Sequence, residues 1–136
     1  MAQEDSAPRH RVLIIDDEES TRLLLARILS ADLGAEVQLA GTAEQAMRLA
    51  ENYVYDAILL DLIMPGVGGL AILKDIRAAQ PNAATPVIMV TVASDERAMK
   101  ACMAAGANAY HLKPVRRAEL VASVQKQIAA RRSRQA

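Results

Sequence analysis

The stretch Ala57–Leu70, AILLDLIMPGVGGL, decides the fold. Four apolar residues, Ala57 to Leu60, run directly into Asp61, and the chain then passes through Pro65 and the glycines 66, 68 and 69. A short apolar run bounded by turn residues reads as a strand buried on both faces, the pattern of a parallel sheet. A carboxylate at the end of such a strand stands at the rim of the sheet. In open α/β sheets that rim, beyond the carboxyl ends of the strands, is where ligands bind.

The same arrangement recurs along the chain. Arg11–Ile15 (RVLII) is apolar and β-branched and ends at Asp16-Asp17. Glu36–Ala40 alternates like a strand, and Pro86–Val90 is apolar and ends at Thr91. Ala109–Leu112 is a short strand pattern followed by Lys113-Pro114. Helical spacing fills the intervals. Leu24, Leu25, Ile28 and Leu29 mark one helix over 19–32, with Gly34 as its stop. Thr42 and Gln45 match a capping box, followed by Ala46, Met47 and Ala50. Leu70, Leu73 and Ile76 mark a third helix ending near Pro81. Ser94 is placed to cap a fourth through about Ala105, with Gly106 at its stop. Leu120, Val121, Val124 and Ile128 mark a fifth. Five strand–helix units imply a parallel sheet with helices on both faces and right-handed crossovers. The expected domain is 11–130, with unstructured ends at 1–10 and 131–136, the latter basic.

Composition narrows the class. The chain has 136 residues, enough for one domain with its own core. Apolar residues make up 52%, but no run reaches the roughly 18 needed to span a membrane. The opening MAQEDSAP lacks the basic and apolar regions of a signal peptide, so a soluble cytoplasmic protein is expected. The single cysteine, Cys102, excludes an intrachain disulfide and reads as a packed thiol. With no Phe or Trp, the core must be aliphatic. The net charge of zero hides a split: 5 Lys+Arg against 12 Asp+Glu over residues 1–64, and 11 against 4 over 65–136. That asymmetry suggests two surfaces with different partners.

The strand ends would bring three carboxylates (Asp16, Asp17, Asp61), a hydroxyl (Thr91) and an ammonium (Lys113) to one rim. Hard oxygen ligands in that number suit Mg²⁺, which keeps several waters and commonly bridges to phosphate. A carboxylate beside Mg²⁺ can attack phosphorus and form an acyl phosphate, while Lys and Thr hold phosphoryl oxygens. Each residue alone has a plainer reading. Asp16 and Asp17 could cap a helix; Thr91 could be a β-former, Tyr110 packing and Lys113 a surface charge. Jointly the plainer readings fail, because three clustered acids repel one another unless a cation or proton relieves them.

This set resembles the receiver domain of two-component response regulators. The matching segments are DD at 16–17, DLIMP at 61–65, GG at 68–69 before Leu70, Thr91 within VIMVTVAS, GANAY at 106–110 and KP at 113–114. The resemblance covers about residues 10–130. It implies a flavodoxin-like, doubly wound five-stranded parallel sheet in the order 2-1-3-4-5 with five helices. It further implies Asp61 as phosphoacceptor, Asp17 as a direct Mg²⁺ ligand, Asp16 as a ligand acting through water, and the Ile63 backbone carbonyl as the remaining protein ligand. Thr91 and Tyr110 resemble the switch pair, Lys113 the residue that pairs with phosphoryl oxygens, and the Lys113–Pro114 peptide is expected to be cis.

The resemblance also has departures. Gly68 stands where the family often has Asp, and Gly is a tolerated N-cap. Val92 replaces the usual Ala after the switch Thr, and neither Ile63 nor Ala93 can orient a water by its side chain. His10 and His111 read as surface or structural rather than as phosphodonors. A haloacid-dehalogenase-like phosphatase would want Asp-x-Asp after its first strand, where this chain has Asp16-Asp17. A phosphorylation-independent receiver-like module would be favoured by loss of Asp61 or Lys113, and both are present. A flavodoxin-like cofactor binder would want a Ser/Thr/Gly-rich loop where DDEEST stands. The expected partners are a histidine kinase or histidine phosphotransfer protein, and a downstream protein effector with an acidic face. That effector would meet the basic helix-four, strand-five, helix-five face. No membrane partner is expected, nor direct nucleic-acid binding, since no reading helix or appended DNA-binding domain follows.

Overall fold

The computed structural model describes residues 9–79 and 81–135. Five strands and five helices alternate: β1 (Arg11–Ile15), α1 (Glu19–Leu33), β2 (Glu36–Ala40), α2 (Ala43–Asn52), β3 (Ala57–Leu60), α3 (Gly68–Ala78), β4 (Val87–Thr91), α4 (Glu96–Ala104), β5 (Ala109–Leu112) and α5 (Arg117–Gln135). The strands form one sheet in the order β2-β1-β3-β4-β5, and every pairing is parallel. This is the order implied by the resemblance. Residues 1–8 of the expected N-terminal tail lie outside the described residues.

Period-two alternation divides the core. Leu13, Ile15, Ile58, Leu60, Val87 and Met89 face one way, onto α3 through Ile72, Leu73 and Ile76 and onto Cys102 of α4. Val12, Ile14, Leu59, Ile88 and Val90 face the other, onto α1 through Leu25, Ile28 and Leu29 and onto α5 through Leu120, Val124 and Ile128. Each fully buried aliphatic side chain contributes roughly 1.5–3 kcal/mol relative to exposure. Register then sets the rim. Ile15 is level with Ala40 on one side and Leu60 on the other, so Asp16 and Asp61 emerge from adjacent strands at the same height.

The structure corrects four local expectations. Leu24 is not core: it is 49% exposed, and Leu25, Ile28 and Leu29 carry the buried stripe of α1. Asp95, not Ser94, caps α4, its carboxylate accepting from the amide of Ala98 at 3.2 Å. Val67 occupies the N-cap of α3, with Gly68 as its first residue at φ +80°. The basic end is helical rather than a loose tail: α5 runs to Gln135. Ala129, Ala130, Arg131 and Arg132 are good helix formers. Arg131 also reaches the Thr85 hydroxyl at 3.1 Å, and Arg132 lies 3.7 Å from Asp56.

The glycines after Asp61 serve two different ends. Gly66 and Gly68 hold left-handed backbone, at φ +81° and +80°, which L side chains disfavour. Gly69 is needed for space. Its amide donates to the Leu62 carbonyl at 2.8 Å, and a Cβ there would lie 2.2 Å from the Asp61 carbonyl oxygen and 2.6 Å from Leu62 Cα. Those atoms are backbone and cannot swing aside. Gly69→Ala is therefore expected to cost about 3 kcal/mol or more by overpacking. Gly34→Ala, in open space at φ +62°, should cost only about 1–2 kcal/mol of left-handed strain. Urea denaturation of the two variants checks this, and equal losses would contradict it.

Candidate functional site

The C-terminal rim of β1, β3, β4 and β5 builds one pocket. Asp16 and Asp61 are buried and Asp17 is exposed. One carboxylate oxygen from each lies within 4.8 Å of the others. Lys113 reaches in from the end of β5, its Nζ donating to Asp16 Oδ2 at 2.8 Å and to Asp61 Oδ2 at 3.0 Å. The Lys113–Pro114 peptide bond is cis. The second oxygens of the two buried acids accept from backbone amides: Asp16 Oδ1 from Glu18 at 2.9 Å, and Asp61 Oδ1 from Ile63 at 3.1 Å. Neither Asp16 nor Asp17 is the N-cap of α1: that position is Glu18, whose amide donates to Asp16 and whose own side chain makes no cap bond.

Electrostatics follow from this packing. Burial pushes the Asp16 carboxyl above its ordinary range, against the opposing pull of Lys113 and the Glu18 amide. Burial pulls Lys113 down, but hydrogen bonds and charge from Asp16 and Asp61 outweigh it and leave the ammonium raised. One ammonium against three carboxylates leaves excess negative charge, and an all-oxygen donor set with one exposed member suits a hard divalent cation. Above the acids lies an open cleft of about 390 Å³, lined by Asp17, Asp61, Ile63, Met64, Val92 and Lys113 among others. Ile63 and Val92 present apolar side chains to it, exposed by 54% and 60%.

Thr91 is fully buried at the end of β4, and its hydroxyl accepts from the Ala93 amide at 3.3 Å. Tyr110 lies two strand positions before Leu112, the β5 partner of Thr91. Its hydroxyl donates to the Ala93 carbonyl at 2.7 Å, and burial raises its pKa. Thr91 and Tyr110 thus meet through one residue of the β4–α4 loop. His111 points away from that link, half-buried, with its pKa lowered by burial.

The basic half of the chain is less available than its composition suggests. Arg117 forms a two-pronged pair with Asp32, at 2.9 and 2.7 Å, which lowers the Asp32 pKa. Arg116 pairs with Glu119, Lys100 with Glu96 and Arg132 with Asp56, while Arg131 bonds Thr85. Two arginines outside the sequence motifs also hold the rim and the loops below it. Arg22 donates to the Asp16 carbonyl at 2.7 Å, a reach legible in its place one turn into α1, where side chains lean toward the helix N-terminus. Arg77 donates to the carbonyls of Ala83, Thr85 and Gly106 and to Asn108 Oδ1. Nothing local in the sequence signals those long-range contacts.

Comparison with known proteins agrees with this geometry. The profile of the response regulator receiver domain matches residues 12–125. The sensory/regulatory protein RpfC of Xanthomonas campestris pv. campestris is 38% identical over 113 residues, covering 82% of this chain and 15% of RpfC. The chain therefore spans a small part of that relative. A CheY-like receiver domain protein from Methanospirillum hungatei superposes with a TM-score of 0.87 at 26% identity, over 93% of this chain and 99% of that one. The receiver domain of the sensor histidine kinase PA1611 from Pseudomonas aeruginosa does so with a TM-score of 0.81 at 32% identity, over 90% and 99%; its crystal structure has a magnesium ion coordinated in the active site cleft. With the profile match running through every strand and through the acid–lysine pocket, the chain belongs to the response regulator receiver domain family of two-component systems.

Proposed function

We propose that Asp61 accepts a phosphoryl group from a phosphohistidine donor, a histidine kinase or histidine phosphotransfer protein, and that the acyl phosphate switches this chain between partners. The observation that carries the reading is the bridge from Lys113 Nζ to both Asp16 and Asp61 beneath an open cleft. In the proposed step an Asp61 carboxylate oxygen attacks phosphorus, the P–N bond to the donor imidazole breaks, and the electron pair stays on that nitrogen. A mixed carboxylic–phosphoric anhydride results.

Asp16, Asp17, Asp61 and the Ile63 carbonyl are the groups that would hold Mg²⁺, supported by the convergence of the three carboxylates. When bound, Mg²⁺ supplies positive charge that offsets both the acid cluster and the phosphoryl oxygens. Lys113 is placed to exchange its Asp61 bond for a phosphoryl oxygen, and the Thr91 hydroxyl to donate to another. Thr91 drawn toward the phosphoryl group would release the Ala93 amide. Tyr110, bonded to the same residue, would then repack. The face of α4, β5 and α5 beside Tyr110 is the proposed effector surface. Among the described residues Arg97, Lys126 and Arg134 make no ion pair there, a narrower basic patch for an acidic partner than composition implied. No helix among the described residues is long and apolar enough to cross a membrane. The proposed domain limits, 11–135, are supported by the run of elements from β1 to α5.

Three measurements test this function. Intact-mass analysis after treatment with acetyl phosphate and Mg²⁺ should show one added phosphate on the wild-type chain and none on Asp61→Asn; normal labelling of the variant would refute the assignment. The thermal midpoint should rise with Mg²⁺, by an amount equivalent to about 1.4 kcal/mol at ten times Kd, and Asp17→Asn should lose that rise. The phosphoryl group should also be long-lived in the isolated protein, because hydrolysis needs a water held in line with phosphorus, and the Ile63, Val92 and Ala93 side chains offer none a hydrogen bond. Replacing Ile63 with Asn and Ala93 with Glu should speed dephosphorylation on the order of tenfold, read as loss of the phosphorylated mass with time. An unchanged rate would remove this account of the lifetime.

A further inference from the structure

We propose that Arg22 is a positioning residue for the divalent-cation site, seated in a space that Gly41 leaves open, and that it acts by fixing the peptide between Asp16 and Asp17. The inference rests on the reading of Asp16, Asp17 and Asp61 as Mg²⁺ ligands. Two independent observations carry it.

The first is the hydrogen bond from Arg22 Nη1 to the Asp16 carbonyl oxygen at 2.7 Å. The Asp16 amide is already held by the Ala40 carbonyl at 3.1 Å. Its carboxylate is held by the Glu18 amide and by Lys113. Arg22 therefore fixes the last free polar group of Asp16. That carbonyl belongs to the planar peptide unit whose other end is the Asp17 amide, so holding the oxygen sets the direction in which the Asp17 backbone leaves. Asp17 itself is exposed, and a side chain with little packing depends on its backbone for placement.

The second observation is Gly41. Its backbone is not left-handed, so conformation does not call for glycine there. Space does. A Cβ at Gly41 would stand 2.7 Å from Arg22 Nη1 and 3.2 Å from its Cζ. Gly41 is itself held, its amide donating to Gln45 Oε1 at 2.8 Å, while the Gln45 amide donates to the Thr42 hydroxyl at 3.1 Å. The start of α2 thus forms one wall of the seat for Arg22. Because the atoms a Cβ would meet are the far end of a flexible side chain, Gly41→Ala can be accommodated by displacing the guanidinium, which breaks the bond to Asp16 while leaving the arginine in the protein.

The test is calorimetric titration of Mg²⁺ into the full chain as wild type, Arg22→Ala, Arg22→Lys, Gly41→Ala and the Arg22→Ala/Gly41→Ala double variant, with thermal midpoints taken without Mg²⁺. Groups that orient metal ligands typically change affinity by 10–100-fold, so Arg22→Ala and Gly41→Ala are each expected to weaken Mg²⁺ binding by about tenfold. The double variant should be no weaker than either single one, since both remove the same bond. Arg22→Lys, which keeps a donor on a long stem, should recover part of the loss. A merely structural role would lower the midpoint without moving Mg²⁺ affinity. Affinities within about twofold of wild type, or losses that multiply in the double variant, would overturn the inference. If Arg22→Ala does not fold, Gly41→Ala alone decides by the same criterion. Absence of Mg²⁺ binding to the wild-type chain would instead overturn the reading on which the inference rests.

Discussion

Two buried carboxylates from adjacent strands share one ammonium, and the rest of the molecule is arranged around that constraint. Moving charges out of water is costly, and a mutual attraction offsets the cost only when geometry is good and the remaining lone pairs are satisfied. Here Lys113 Nζ sits within 3.0 Å of both acids, and backbone amides take their other oxygens. The compensation is incomplete, because Asp17 adds a third negative group and burial still raises Asp16. A pocket left short of positive charge stabilises the apo fold less than apolar packing would. Under the proposed function, that shortfall would be met by a divalent cation held by the three acids, with Lys113 available to a phosphoryl oxygen. Function at this site is thus set against stability, and the core beneath carries the fold; it is not wholly aliphatic as expected, because Tyr55 is fully buried within it.

That core explains why the acids stay in register. Apart from Arg11, the β1, β3 and β4 side chains are fully or almost fully buried on both faces. A slip of one residue would move each of them to the opposite face, where it would meet the wrong close-packed neighbours, so the packing of both faces resists it. The pairing of Ile15 with Leu60 places Asp16 and Asp61 side by side at the rim. Gly69 then lets the first turn of α3 approach the Asp61 carbonyl, closing the loop that carries Ile63 into the cleft.

Most of this was legible in the sequence because it is local or periodic. Apolar runs ending in Asp16, Asp61 and Thr91 identify the strands and the rim together, and Thr42 reads correctly as the N-cap of α2, although Gln45 Oε1 accepts from the Gly41 amide and not, as a capping box requires, from that of Thr42. What was not legible depends on contacts distant in sequence. Ser94 and Asp95 are both good caps, and only the path of the loop chooses Asp95. Leu24 fits the helical stripe as well as Leu25, but the stripe of α1 is narrow, and the next position around falls in solvent. The C-terminal arginines look like a loose basic tail until Thr85 and Asp56, 46 and 76 positions earlier, are seen to hold them. The charge split misses contacts of the same kind: Arg117 and Arg132 of the basic half pair with Asp32 and Asp56 of the acidic one.

The β4–α4 loop shows how little structure the proposed switch needs. Thr91 accepts from the Ala93 amide on the pocket side, and Tyr110 donates to the Ala93 carbonyl on the other. One residue therefore carries both ends of the coupling. A ligand can shift a conformational equilibrium only by its differential affinity for the two states, so the phosphoryl group must gain from Thr91 what the loop loses at Ala93. Neutral hydrogen bonds contribute about 0.5–1.5 kcal/mol net, and those to charged groups about 1.5–3. Exchanging the first kind for the second favours the displaced state by an amount sufficient to change populations severalfold. Helix α4 is the element suited to respond. Its one buried side chain is Cys102, while the chain just beyond its C-terminus is held by Arg77 at the Gly106 carbonyl. Its N-terminal end rests on the exposed cap of Asp95. The end nearest the pocket is the one held least.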